Sequence, residues 1–424
     1  MNDRAALDLL LARGPLSRTR LGELTGLSKP TASQLLARLE AAGLVVAGGT
    51  TAGRPGPGAR LYSVNPQAAR VAGADVTPDR IVAAVCDLTG RVIGSHELAY
   101  PADAGADGDA GADGADGADG ADGADGDARA ADRLTLALDG AARTAGLRLS
   151  DLHGAVVATP GSFDPRSGVL RYAGHLPRGW HSPALLDELA AALPVPVAYE
   201  NDVNLVAIAE QRLGAARGHE DFVLLWNEEG LGAALVLGGR LHRGWTGGAG
   251  EVGFLPVPGR PLVRQVTRVG SGGYQALAGA RAVPELAAEL GIAVPPAGPA
   301  GPGPSLPGPG PGATVGPAVA LLRHAAAHPG GVQLRLLRRY ATALATGLAS
   351  LVAVVDPEVV VLSGAVNDAG GDVLRELVAA ELDDLAPFRP RLVSGTVRER
   401  PVLRGALESA LAAARDELFD TSRR

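Results

Sequence analysis

Lys29, Thr31, Ser33 and Gln34 crowd into one short stretch of the sequence, LSKPTASQLLARLEAAGL. Their shared chemistry is hydrogen bonding to base edges and phosphates. Glutamine can pair in a bidentate way with adenine, and threonine and serine reach bases or phosphate oxygens. Arg18, Arg20 and Arg38 bring phosphate-type cations to the same region. Gly53-Arg54-Pro55 is a slim, extended tripeptide carrying one guanidinium, a form suited to a narrow and negative minor groove. Each arginine taken alone also fits an ordinary solvated surface charge. The surrounding residues therefore have to supply the scaffold. Residues 16–44 do so. A first helix has apolar residues at Leu21 and Leu24, Gly26 makes a turn, and Ser28 can cap a second helix. Pro30 is tolerated in that helix's first turn, where N–H groups lack intrahelical partners. Leu35, Leu36 and Leu39 give the second helix an inward stripe. This is a helix-turn-helix, whose second helix enters the DNA major groove. Two short apolar runs, 44–46 and 61–64, flank a Gly/Pro-rich tip as a hairpin wing should. Residues 1–66 are thus expected to form a winged helix-turn-helix domain. Its DNA-binding candidates are Arg18, Ser28, Lys29, Thr31, Ser33, Gln34, Arg38 and Arg54.

Composition bounds the rest. A chain of 424 residues is long enough for two or three domains. One cysteine, Cys86, excludes an intramolecular disulfide and any multi-cysteine zinc site. The N-terminus lacks a basic-then-apolar signal pattern. The apolar run ending near Val361 is broken by Asp356, Pro357 and Glu358. A soluble, cytoplasmic protein without a membrane partner is expected. The net charge of −7 is unevenly spread: residues 103–127 hold nine aspartates and no base, and without them the chain would stand at +2. Residues 1–65 carry +4, a balance suited to phosphate contacts.

From Val71 the pattern changes to consecutive strands with turns at Thr77-Pro78 and Thr89-Gly90. Six Ala-Asp-Gly repeats then run from Ala106 to Gly126. Glycine disfavours helix and neighbouring aspartates repel, so 103–127 reads as a disordered loop, a tolerated insertion. A helix over 129–145, a buried strand over 154–158, a short strand over 195–199 and a helix over 202–215 follow. Strands at 222–226 and 231–237 come next. Residues 294–317 are mostly Pro, Gly and Ala and read as a flexible surface insertion. A long amphipathic helix over 333–354, a buried strand over 359–362 and helices near 373–382 and 403–418 close the pattern. Alternating strands and helices predict an α/β body.

Three segments of that body, VPVAYENDVNLVAIAEQRLGAARG, GGRLHRGWTGGAGEVGFLPV and DPEVVVLSGAV, resemble signature segments of the ROK family of repressors, unassigned reading frames and sugar kinases. The head, TGLSKPTASQLLARLEAAGLV followed by GRP, resembles the DNA-binding domain of the repressor branch. The resemblance covers nearly the whole chain outside the two low-complexity stretches. It implies a winged helix-turn-helix joined to a two-lobed, actin/hexokinase-like α/β body over 70–424, with a sugar site in the cleft. By that resemblance Asn201 supplies a sugar-binding amide, Asp202 occupies the kinase general-base position, and Glu251 is a sugar-contacting acid. Read from the residues alone, Asn201 and Asp202 could equally cap the following helix. His175 stands where the family has a sugar-contacting Asn before Leu-Pro-x-x-Trp. Phe254 replaces the histidine of Glu-x-Gly-His, and PLVRQVTRVGSGGYQALAG lacks the cysteines expected beyond it, so no structural zinc is expected.

Both phosphate loops of the kinases are altered. Asp75 is followed by Val76, Thr77 and Pro78 in place of Gly-Gly-Thr, and Pro78 has no N–H to give. Glu228 and Glu229 replace the second loop's Gly-Thr-Gly. A carboxylate beside a polyphosphate costs about 4 kcal/mol per near pair at an effective dielectric of ~20. Kinase activity, catalytic residues and cofactors are therefore not expected. The expected function is sequence-specific transcription regulation, a repressor of carbohydrate uptake or metabolism genes. Its expected partners are a double-stranded DNA operator, a sugar or sugar-phosphate effector, and further copies of the chain in a homodimer or homotetramer. A regulator with a silent cleft and a sugar kinase with a fused DNA-binding head are the alternatives.

Overall fold

The computed structural model describes residues 2–50, 59–100, 129–164, 168, 170–171, 176–182, 184–263, 272–295 and 315–420. Arg54, His175 and the repeat at 103–127 lie outside them. The chain forms two compact units: Met1–Ala158 with His175–Tyr199 and Ala406–Arg424, and Thr159–Gly174 with Glu200–Gly405.

The first unit opens with the head: α1 (Asn2–Arg13), β1 (Leu16–Ser17), α2 (Arg18–Thr25), α3 (Lys29–Ala41), β2 (Val45–Thr50) and β3 (Arg60–Val64). Ser17 caps α2 by accepting from the Arg20 N–H, and Gly26 closes it in the left-handed conformation, φ 69°. Ser28 caps α3 through the Thr31 N–H, with Pro30 in the first turn as expected. Leu21, Leu35, Leu36 and Leu39 are buried with Ala6, Leu7 and Leu10 of α1. The wing strands pair antiparallel, and β1 adds to their outer edge in the order β1-β3-β2.

Behind the head, β4 (Arg70–Val76), β5 (Arg80–Asp87) and β6 (Val92–Ala99) form an antiparallel meander. Helix α4 (Ala130–Thr144) packs on it and leads to β7 (Gly154–Thr159), which pairs parallel with β4. A two-stranded hairpin, β8 (Ser162–Phe163) and β9 (Leu170–Arg171), and helix α5 (Leu185–Ala192) precede β10 (Val197–Asn201). The sheet order is β10-β7-β4-β5-β6.

The second unit repeats this plan. Helix α6 (Asp202–Leu213) precedes a meander of β11 (Phe222–Asn227), β12 (Leu231–Leu237) and β13 (Arg240–Leu241). Helices α7 (Gly273–Ala278), α8 (Ala282–Glu289), α9 (Val315–Ala327) and α10 (Gly331–Val355) follow. Then come β14 (Val359–Ser363), α11 (Ala365–Leu385), β15 (Arg391–Ser394) and α12 (Pro401–Phe419). The order β13-β12-β11-β14-β15 places two parallel strands beside the meander, as in the first unit. Alternation along β11 and β14 builds the core on both faces. Phe222, Leu224, Val359 and Val361 meet Val203, Val206 and Ala207 of α6 on one side. Val223, Leu225, Val360 and Leu362 meet α7–α11 on the other. One boundary departs from expectation: α9 begins at Val315, inside the stretch read as a flexible insertion. Val315 is buried, and Pro317 falls in the first helical turn, where a missing N–H costs nothing.

α12 begins in the second unit and ends in the first. There it lies close on β4, because Gly73 has no side chain: a Cβ would come within 3.1–3.2 Å of Ala406 and Leu407. At its far end Asp416 pairs with Arg4 of α1 at 2.5 Å, and Arg415 donates to the Leu88 carbonyl at 2.9 Å.

Candidate functional site

On the head, Lys29, Thr31, Gln34 and Arg38 of α3 are exposed. Ser28 spends its oxygen on the cap and on Thr31 Oγ1, 2.8 Å away. Ser33 accepts from Arg18 at 3.0 Å and donates to the Lys29 carbonyl at 2.9 Å, so these two candidates brace each other. Arg38 pairs with Asp3 of α1 at 2.6 Å. The pair is half in solvent, with the Arg38 guanidinium exposed and the Asp3 carboxylate largely covered. Sequence reasoning had no pattern to reveal Asp3, which sits on a helix it did not single out.

The second group of candidates converges in the second unit, where β10 runs into α6. Glu200 is buried and fully engaged. One oxygen accepts from the Asn201 N–H at 3.0 Å and from Asn204 Nδ2 at 2.8 Å, the other from Arg243 Nε at 2.6 Å. Asn201 caps α6 by accepting from the Asn204 N–H at 3.0 Å and donates to the Gly161 carbonyl at 2.9 Å. Its amide thus joins the helix start to the β8 turn. Asp202 accepts from the Val203 N–H at 2.8 Å. Burial raises its pKa to about 6, against backbone and side-chain hydrogen bonds that lower it. A carboxylate titrating there can take a proton from a hydroxyl near neutral pH.

Glu251 is close enough to Asp202 to feel its charge. Burial first, then Asp202, pushes Glu251 up to about 7. The glycines before it are set by geometry: Gly250 has φ +98°, and a Cβ there would sit 2.0 Å from the Ala233 carbonyl oxygen. The loop 243–251 is tied down at Arg243 to Glu200 and at Thr246, whose carbonyl accepts from Ser162 Oγ at 3.5 Å. Phe254 ends a single 3-10 turn, Val252–Phe254, and is half-buried.

The two segments that the resemblance matches to kinase phosphate loops are held by contacts of their own. At the end of β4, Thr77 closes a tight turn: its N–H and Oγ1 both donate to the Arg80 carbonyl, at 2.9 and 3.0 Å. After β11, Glu228 turns inward and accepts from the Ala365 N–H at 2.7 Å, where α11 begins. Burial raises Glu228 to about 7, against that hydrogen bond, and Asp368, Glu229 and Asp202 add to the rise. Gln275 of α7 holds the loop from behind, accepting from the Leu231 N–H at 2.6 Å. Nothing in the sequence pattern marked Gln275.

A winged helix followed by two α/β units of the same strand order defines a head carried on a sugar-kinase-like body. Residues 134–298 match the family model described as ROK family, and residues 3–54 match that of the MarR family. The chain therefore carries a ROK family domain behind a MarR-type winged-helix domain, a pairing that fits a DNA-binding regulator. Similar proteins include the bifunctional enzyme NanE/NanK of Brucella suis, 35% identical over 211 residues, 49% of this chain and 33% of that protein. A glucokinase of Thermotoga maritima is 36% identical over 128 residues, 30% and 39% of the two chains. The chain thus spans between a third and two fifths of the length of these relatives. A ROK hexokinase structure from Thermus thermophilus superposes with a TM-score of 0.59 at 28% identity, covering 82% of this chain and all of that one. A ROK family transcriptional regulator, described as a homolog of the E. coli MLC protein, gives 0.69 over 99% and 97% of the two chains. At 18% identity that likeness speaks to the fold alone. Among the described residues, no helix is long and apolar enough to cross a membrane.

Proposed function

We propose that the chain is a cytoplasmic, sequence-specific repressor of carbohydrate uptake or metabolism genes, with a head over 1–66 and a sugar-sensing body over 70–424. The observation that carries this reading is Glu228, a carboxylate bonded to the start of α11 where a kinase would receive phosphate. With the Thr77 turn, it supports a body that binds a sugar and no longer phosphorylates it. Arg18, Ser28, Lys29, Thr31, Ser33, Gln34 and Arg38, with Arg54, are the DNA-contacting set. Asn201, Asp202 and Glu251, with His175, are the sugar-contacting set. Symmetric half-sites call for a homodimer or homotetramer. A sugar shifts DNA affinity only by binding the two states of the protein unequally.

The test is an anisotropy titration against the DNA upstream of the chain's own gene, at several salt concentrations and with a panel of sugars and sugar phosphates. Specific binding that one sugar releases is the expected result. Lys29→Ala should weaken all sequences alike and flatten the salt dependence by about one ion, while Gln34→Ala should relax discrimination at one base pair by about 1–3 kcal/mol. Binding indifferent to every sugar would leave a regulator with a silent cleft. Asp202, poised to titrate near 6, favours a second reading, a kinase with a fused head. ATP-dependent consumption of a sugar in a coupled assay would establish it.

A further inference from the structure

The chain has three tryptophans, and they sit in different surroundings. Trp180 is buried in the first unit and donates to Tyr100 Oη at 2.9 Å. Trp226 is half-buried on β11, packed against the α6 side of the sheet. Trp245 is 73% exposed. It lies on the loop 243–251, between Arg243, which holds Glu200, and Glu251. The next residue, Thr246, accepts from Ser162 through its carbonyl. Gly247 approaches so closely that a Cβ would stand 2.2 Å from the Phe163 carbonyl oxygen. One residue before Ser162, the Gly161 carbonyl takes the Asn201 amide. The loop bearing Trp245 is therefore pinned through the β8 turn to the same residues proposed to hold a sugar.

We infer that the Trp245 indole is a stacking platform beside that site, and that the site takes a glycoside or disaccharide whose second ring lies on the indole. The inference rests on the sugar-sensing reading above. Its chemistry is that of carbohydrate pockets generally. Glu251 and Asp202 offer carboxylate oxygens for hydroxyl groups, and the loop that leads into Glu251 carries an indole that is 73% exposed. The C–H face of a pyranose carries partial positive charge and is apolar, and the face of an indole is negative and apolar. Laying one on the other removes both from water. Because the loop is tied at Arg243 and Thr246, little ordering entropy remains to be lost when a ring arrives. A second ring adds a contact with the indole that a lone monosaccharide, held by the acids, does not make.

The test uses the full-length protein and matched probes: glucose with cellobiose and 4-nitrophenyl β-glucoside, mannose with mannobiose, and xylose with xylobiose. Affinities are measured by calorimetry for the wild type, Trp245→Phe and Trp245→Ala. Acrylamide quenching of tryptophan emission is followed in parallel. In one pair the two-ring ligand should bind the wild type about tenfold more tightly, the scale of one aromatic stacking contact. Trp245→Ala should erase that advantage and leave the monosaccharide's affinity unchanged, Trp245→Phe should keep part of it, and the two-ring ligand should shield the exposed emission. Equal binding of both members of every pair, or equal losses for both in Trp245→Ala, would overturn the inference while leaving a sugar sensor standing. Failure of every probe to bind would take down the sugar-sensing reading and this inference together.

Discussion

Glu228 illustrates how the fold sets the chemistry of one side chain. Its carboxylate is half-buried among Asp202, Asp368 and Glu229 and held by a single backbone N–H. Its folded pKa of about 7 stands above the ordinary 4.5. The stability linked to this group is therefore complete below about pH 4.5 and is lost as pH rises through about 7. Glu228→Gln keeps an acceptor for Ala365 and removes the charge. It is expected to match the wild type near pH 4 and to exceed it by about 1–3 kcal/mol at pH 8, as read by urea unfolding at both values. An equal difference at both pH values would show that charge is not the cause. The sequence disclosed that an acid stood in this loop, because residue type is written there. It could not disclose that the acid turns inward onto α11, since Ala365 and Glu228 meet only in the folded chain. Asn201 shows the same limit. Its motif suggested a ligand amide or a cap, and both its polar atoms are engaged, on Asn204 and Gly161.

Elements were legible where one physical rule sets them. The cap at Ser28, the inward stripe of α3 and the strand runs of β11 and β14 follow from spacing and residue type. Helix α1 escaped because its apolar residues run together in ALDLLLA, which hides the period. Helix α7, GYQALA, is too short to show one. The loop before Glu251 shows what an element demands of one position. Gly250→Ala must accommodate a left-handed residue and a Cβ 2.0 Å from a carbonyl oxygen. It is expected to lose about 2–4 kcal/mol of stability in denaturant unfolding. On the proposed sugar-sensing reading, sugar affinity should fall with it, because Glu251 is positioned by that turn. A variant of unchanged stability would mean that the loop relaxes freely away from Ala233.

At the scale of the whole molecule, the two sheets share a strand order that no repeat in the residues foretold; the duplication lives in topology, where many sequences satisfy one pattern. The ends flanking the Ala-Asp-Gly insertion are also tied. Arg133 of α4 lies 4.9 Å from the Tyr100 ring centroid and donates to the Ala99 carbonyl at 3.5 Å, and Tyr100 accepts from Trp180. The chain thus leaves and re-enters at one place, and loop closure depends only weakly on length. Deleting 103–127 should leave the thermal midpoint within about 2 °C of the wild type, a change of under about 1 kcal/mol by calorimetry. DNA affinity at low salt should likewise stay unchanged, and tighter binding would reveal an acidic arm competing for the head. Helix α12 carries a different consequence, one of timing. Strand β4 is made early, yet the face of Gly73 is covered by Ala406 and Leu407, which are made late. The first unit therefore cannot close its core while the second is being synthesised. It must wait, partly open, with a central strand uncovered, which makes its folding slow and gives chaperones a long interval in which to act.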